Sequence, residues 1–192
     1  MTRYNGINHL AMATCDLDST IRYYRDLLGM RLLVSLGHRG YKHYFFEISK
    51  TDMIAFFEWP HVRKIPEKDH GVPVKEPFAF DHVSIGVNSF KDLLDIKKML
   101  AAAGFWVSEI VDHGFINSIY SFDPNNIPIE FSYCVPGKDI RALPVLKDKD
   151  PSKTAIEGSN PQPGKWPSFN DEDGSSDDLK VYPGEGTNLF ED

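Results

Sequence analysis

Cysteine is scarce in this chain: Cys15 and Cys134 are the two among 192 residues. Two thiols so far apart exclude a disulfide framework and a zinc knuckle, and both are expected to be small buried hydrophobes. Long apolar runs are missing as well. None approaches the roughly 18 residues a bilayer-crossing helix needs, and the N-terminus lacks the basic, apolar and small-residue series of a secretory leader, so the chain reads as cytoplasmic. There is no basic stripe and no basic amphipathic helix, which argues against nucleic acid and against a membrane surface as partners. Even the acidic excess is local. Of the net charge of −7, residues 137–192 account for −5, with seven Lys/Arg against twelve Asp/Glu. What is plentiful is apolar and aromatic content, 41% and 12%, enough for one domain with a core.

The first 135 residues contain a repeat. INHLAMATCDLDSTIRYYRDLLGM (7–30) and FDHVSIGVNSFKDLLDIKKMLAAAGF (80–105) share one order: a short strand with a histidine, a turn, an amphipathic helix, a glycine. His82 follows His9 by 73 positions and Gly104 follows Gly29 by 75, so the difference fits in the strand-to-helix loop. The helices are expected to start near Asp18-Ser19 and at Ser89, and to stop at glycines suited to a left-handed C-terminal position. Each glycine is followed by three strand-like runs: MRLLVSL, YKHYFFEIS and MIAFFEW, then FWVSEIV, INSIYSF and IPIEFSYC. Asp123-Pro124-Asn125-Asn126 reads as the turn of the last hairpin. The expectation is an α+β fold with βαβββ written twice, in modules at about 5–60 and 78–135, inside a domain 1–136. A linker at 61–77, rich in proline, joins them. Residues 137–192 form a Pro/Gly/Asp-rich extension whose Trp166, Phe169, Tyr182 and Phe190 could dock elsewhere.

Glu130 stands out, between Ile129 and Phe131 in a strand that otherwise reads as buried. A carboxylate taken out of water costs several kcal/mol unless it is paired or bound to a cation. Aligning the last strands through the repeat sets Glu130 against Ala55. Strand alternation places His9, His82 and Glu130 on one set of faces, and pseudo-twofold symmetry brings equivalent positions around one cavity. Two imidazoles and one carboxylate that leave open positions are a donor set associated with non-haem Fe(II). Asn8 and Asp81, each just before a histidine, point away on this parity and read as solvent or edge groups. Glu58 falls on the opposite face from Ala55, but a one-residue bulge would turn it inward as a fourth ligand.

At this point the chain resembles the vicinal oxygen chelate superfamily, the glyoxalase, bleomycin-resistance and extradiol dioxygenase fold, through INHLAMATCDLDSTIRYYRDLLGM, FDHVSIGV and FDPNNIPIEF. The resemblance implies an open, eight-stranded barrel-like cup with a metal inside, held by His9, His82 and Glu130. VDHGFINSIYSFDPNNIPIE (111–130) resembles the signature of extradiol ring-cleaving dioxygenases, with His113, Tyr120, Asp123, Pro124 and Glu130 on its positions and Asn126 where that signature has Gly or Pro. It implies Fe(II), O2 and a small aromatic vicinal diol as substrate, Tyr120 bonding a substrate oxygen, His113 contacting substrate or shaping the wall, and a linker histidine, His70 with His61 behind it, as acid/base. His38 and His43 receive no role.

Two other readings stay open. One is a glyoxalase-like lyase, isomerase or hydrolase using Mn, Ni, Zn or Co as a Lewis acid, although Ala55 stands where such members place a fourth ligand. The other is a resistance-type protein that sequesters an aromatic compound without turnover. Phe45, Phe57, Phe115 and Phe122 are expected to line the cup. Edge strands and the extension leave room for a homodimer.

Overall fold

The computed structural model describes residues 7–38, 40–75, 80–149, 154–162, 164, 180–184 and 186–190. The chain divides into two compact units, Met1–Lys138 and Asp139–Asp192. The first contains two four-stranded sheets. β1 (His9–Thr14), β2 (Leu32–His38), β3 (Tyr41–Glu47) and β4 (Met53–Glu58) form one, in the order β1-β4-β3-β2. β5 (Val83–Val87), β6 (Val111–Asp112), β7 (Ile116–Phe122) and β8 (Pro128–Cys134) form the other, in the order β5-β8-β7-β6. In each, the first strand runs parallel to the last and the remaining pairings are antiparallel. The repeat is therefore real in three dimensions, as an α+β fold of two βαβββ modules. Among the described residues no strand ladder joins the two sheets.

Register confirms the sequence alignment residue by residue. Ala55 lies between Ala11 on β1 and Phe45 on β3, and Glu130 lies between Ser84 on β5 and Tyr120 on β7. On the longer strands one parity faces a common core. Ile54 and Phe56 from the first sheet and Ile85, Ile129 and Phe131 from the second belong to one apolar cluster with the helices. The other parity is exposed on the edge strands, at His9, Ala11, Ala13, Ser84 and Gly86, and buried on the inner strands, at His43, Ala55, Ser118 and Glu130. The outward faces are where the histidines sit.

The helices fill the space between these core faces. α1 (Leu17–Ile21) begins two residues earlier than its sequence suggests, because the carboxylate of Asp16 rather than Asp18 accepts the Ser19 N–H, at 3.0 Å. It continues as a π-helical turn, Arg22–Leu27, closed by Leu28 N–H to Tyr23 C=O at 2.9 Å. The wider turn allows consecutive tyrosines to be buried in different directions. Tyr24 packs on Phe46 and Phe56 of the first sheet, while Tyr23 packs on Phe105 of the second module at 4.8 Å. α2 (Phe90–Ala102) is capped by Ser89 as expected. Gly29 and Gly104 end the two helical stretches at φ +73° and +84°.

A buried polar joint ties the modules. Asn125, in the β7–β8 turn, accepts from the Thr14 hydroxyl at 2.6 Å and donates to Thr20 Oγ1 and Asp123 Oδ2, each at 3.0 Å. Asp123 accepts the N–H groups of Asn125 and Ile127 and the Tyr24 hydroxyl. Asn126 takes the left-handed conformation at φ +65°, so the turn survives without the usual Gly.

Three expectations need correction. The run FWVSEIV forms only the two-residue β6 and an isolated bridge at Val107, because the Ser108 hydroxyl oxygen, in place of its carbonyl, accepts the Tyr120 N–H, while that carbonyl accepts from Lys97 Nζ. Both cysteines are exposed rather than buried, since Cys15 follows the end of β1 and Cys134 closes β8. Asn8 and Asp81 are not mere solvent groups, as the site shows. In the extension, Trp166 and Phe169 lie outside the described residues, and Tyr182 and Phe190 are exposed. No helix among the described residues is long and apolar enough to cross a membrane.

Candidate functional site

The outward face of the second sheet gathers chemistry. Glu130, only 4% exposed, points its Oε2 at His82 Nε2 at 3.0 Å. The opposite ring nitrogen, His82 Nδ1, lies 2.6 Å from Asp81 Oδ1. Asp81 in turn accepts the Gly71 N–H at 3.0 Å and a hydrogen bond from Lys68 Nζ. Lys68, then His82 and then the Gly71 N–H hold the Asp81 carboxyl well below the ordinary carboxylate range. Asp81 precedes β5, outside the alternating strand, and its side chain folds back onto the next residue's ring rather than facing solvent alone.

Tyr120, beside Glu130 across β7 and β8, places its hydroxyl 2.8 Å from His113 Nε2. Burial and then the Glu130 carboxylate push the Tyr120 phenol above its ordinary pKa, so it stays protonated. The linker also comes to the site. His70 Nε2 sits 3.2 Å from the Ile129 carbonyl, and its ring contacts Tyr120, Phe122 and His82 at centroid distances of 4.7, 5.2 and 5.7 Å. Burial, and after it the neighbouring His82, hold His70 below the usual imidazole range, hence neutral near pH 7. His70, His82, Trp106, His113 and Tyr120 line an open cavity of about 440 Å³, within the range of small-molecule sites. Among the described residues that line it there is no Lys or Arg.

The first sheet repeats this geometry with other chemistry. His9 Nδ1 lies 2.9 Å from Asn8 Oδ1, as His82 does from Asp81. The His9 ring meets Phe45 edge-on at 5.3 Å, as His82 meets Tyr120 at 6.0 Å. Ala55 takes the place of Glu130. Thus His82 and Glu130 converge, while His9 lies on the other sheet. Among the described residues no three His, Cys, Asp or Glu side chains come together in a group able to hold a metal ion.

The remaining candidates separate clearly. Glu58 faces the start of α1, accepting the Leu17 N–H at 2.9 Å and pairing with Lys42, so no bulge turns it toward the cup. His61 lines a different cavity, with Tyr41 and Trp59. His43 stacks on Phe57 at 3.5 Å, and His38 packs on Tyr41. Phe45 and Phe57 lie on the outward face of the first sheet and Phe122 beside His70, whereas Phe115 precedes β7 and is exposed. Trp106, unassigned by sequence, contacts Phe122; an aromatic after a helix-ending glycine carried no signal that it would turn toward the site.

His82 and Glu130 are two donors of the kinds that bind divalent cations. Without a cation their 3.0 Å separation is that of a hydrogen bond. With Nδ1 bonded to Asp81, Nε2 is the nitrogen presented beside Glu130.

Residues 6–131 match the sequence profile of the Glyoxalase/Bleomycin resistance protein/Dioxygenase superfamily. The chain belongs to this superfamily. It is 28% identical over 130 residues to a lactoylglutathione lyase of Haemophilus influenzae, spanning 65% of this chain and 90% of that one. Among solved structures, a glyoxylase/bleomycin resistance protein/dioxygenase domain from Frankia sp. EAN1pec superposes with a TM-score of 0.59 at 22% identity, covering 69% of this chain and 100% of the other. The fosfomycin resistance protein FosX of Listeria monocytogenes, as a mutant complexed with Mn(II) and 1S,2S-dihydroxypropylphosphonic acid, superposes with a TM-score of 0.54 at 18% identity, covering 73% and 98%. At these identities the superpositions speak for the fold.

Proposed function

We propose that this superfamily member is a divalent-metal-dependent enzyme acting on a small, uncharged substrate that presents two adjacent oxygens, and that its reaction is extradiol-type cleavage of an aromatic diol with Fe(II) and O2. The observation that carries this reading is the cavity lined by His70, His82, His113 and Tyr120, with Glu130 Oε2 3.0 Å from His82 Nε2 at its edge. Its aromatic wall suits a planar ring.

His82 Nε2, Glu130 and His9 would hold the ion. Because His9 lies on the other sheet, exposed on an outward face, we propose that it comes from a second copy, with two equivalent sites in a symmetric dimer. When bound, the cation supplies the charge that adjacent substrate oxygens bind to and, as iron, access to oxygen chemistry. The protein's own groups do the rest. Neutral His70 accepts a proton from a substrate hydroxyl as it binds. His113 Nε2–H donating to the Tyr120 oxygen leaves the phenol O–H to donate to the second substrate oxygen. Trp106 and Phe122 pack the ring and exclude water.

A second reading has support of its own. The named relatives are a lyase and a fosfomycin resistance protein bound to Mn(II), which favours a lyase, isomerase or hydrolase with a redox-inert metal. Loading the protein anaerobically with Fe(II) and, separately, with Mn(II) or Ni(II) separates the two. Oxygen uptake by the iron form with a panel of catechols supports ring cleavage. Turnover of lactoylglutathione or of fosfomycin by the Mn(II) or Ni(II) form, with no oxygen uptake at full iron occupancy, supports the second. Tight catechol binding without turnover in any form points to sequestration.

A further inference from the structure

We infer that Asp81 is the positioning residue of the metal centre and that it makes the two histidines unequal. The inference rests on the metal-site reading above and concerns how that site is set.

The pseudo-symmetric pairs carry the argument. Asn8 and Asp81 each bond the Nδ1 of the histidine that follows, at 2.9 and 2.6 Å. Either acceptor favours a proton on Nδ1 and presents Nε2 to the outward face. Beyond that the pairs differ. Asn8 is neutral, and Asn8 and His9 are both exposed. Asp81 is anionic and is itself fastened on two further sides, by the Gly71 N–H and by Lys68, whose side chain is only 15% exposed. An anion on the far nitrogen raises the donor strength of the near one, and an immobilised anion fixes the ring plane. The strong, ordered imidazole is therefore His82, the one whose Nε2 already meets Glu130. His9 is the weaker ligand that completes the site. The same carboxylate has a second task. Lys68 and Gly71 flank His70 in the linker, so the bonds that orient His82 also pin the segment that brings His70 over Tyr120.

The test uses the full chain, Co(II) and four variants. The metal-free wild type should show a slowly exchanging imidazole N–H resonance in nitrogen-edited spectra, assigned by its loss in His82→Gln. Asp81→Ala should abolish it and weaken Co(II) binding about 10- to 100-fold. Asp81→Asn, which retains an acceptor as Asn8 does, should keep the resonance and bind Co(II) with intermediate affinity. Asn8→Ala should weaken binding less than Asp81→Ala. An Asp81→Ala protein that keeps the resonance or the wild-type affinity, or Asn8→Ala weakening binding as much, overturns the inference. A folded wild type that takes up no Co(II) defeats the metal reading instead; the resonance then decides the role of Asp81 alone.

Discussion

The carboxylate of Glu130 shows what a single residue can disclose. Its burial in an apolar strand demanded a partner, and the repeat supplied His82, which lies 3.0 Å away. Asp81 was less legible, because it lies before β5, where alternation does not hold, and its side chain folds back onto its neighbour. His70 was legible only as a histidine near the second module; nothing in a linker's sequence states over which strand it folds. Its depressed pKa makes it a base near neutrality, so His70→Gln should lower kcat by about 10²- to 10⁴-fold with a smaller change in KM. Steady-state kinetics on the active metal form check this, and an unchanged kcat removes His70 from proton transfer.

Among the elements, the helix glycines, the Ser89 cap and five of the six later strands could be read from pattern, because periodicity and turn chemistry are local. The π-helical turn could not, since it answers to Phe46, Phe56 and Phe105, which arrive from distant strands. Glu58 shows the same limit: its partner is the Leu17 N–H, a donor no spacing rule pairs with it. Glu58→Ala should therefore cost about 1 kcal/mol of stability in urea unfolding while leaving metal content unchanged. The joint centred on Asn125 is more demanding. Asn125→Ala strands Thr14, Thr20 and Asp123 in a buried setting, and a loss of about 2 kcal/mol or more is expected. Burial raises the pKa of Asp123 despite the hydrogen bonds from Asn125 and Ile127 that oppose the shift. A carboxyl raised in the folded state binds more protons there than in the unfolded chain. Its contribution is thus most favourable at low pH and declines as pH climbs from about 4, the unfolded value, through the raised folded value. Subtracting the unfolding profile of Asp123→Asn from that of the wild type should isolate this decline; a difference that is flat or rises with pH contradicts it.

For the whole molecule, the repeat gave the architecture, but not which outward face meets which. The core draws both sheets in by the same parity and leaves His9 and the His82–Glu130 pair on separate outward faces, which is why one triad is proposed to draw on two copies. Mixing His9→Ala with Glu130→Ala tests this without any knowledge of substrate. If the site is shared, re-equilibrated mixed dimers contain one intact site, and metal capacity should recover to about a quarter of wild type. No recovery, with mixed dimers present, places all three ligands within one chain. The most direct measurement is anomalous diffraction from crystals loaded with Mn(II) or Fe(II). The account predicts one peak per chain within bonding distance of His82 Nε2, a Glu130 oxygen and a His9 Nε2; a peak elsewhere, or none at saturating metal, would contradict it.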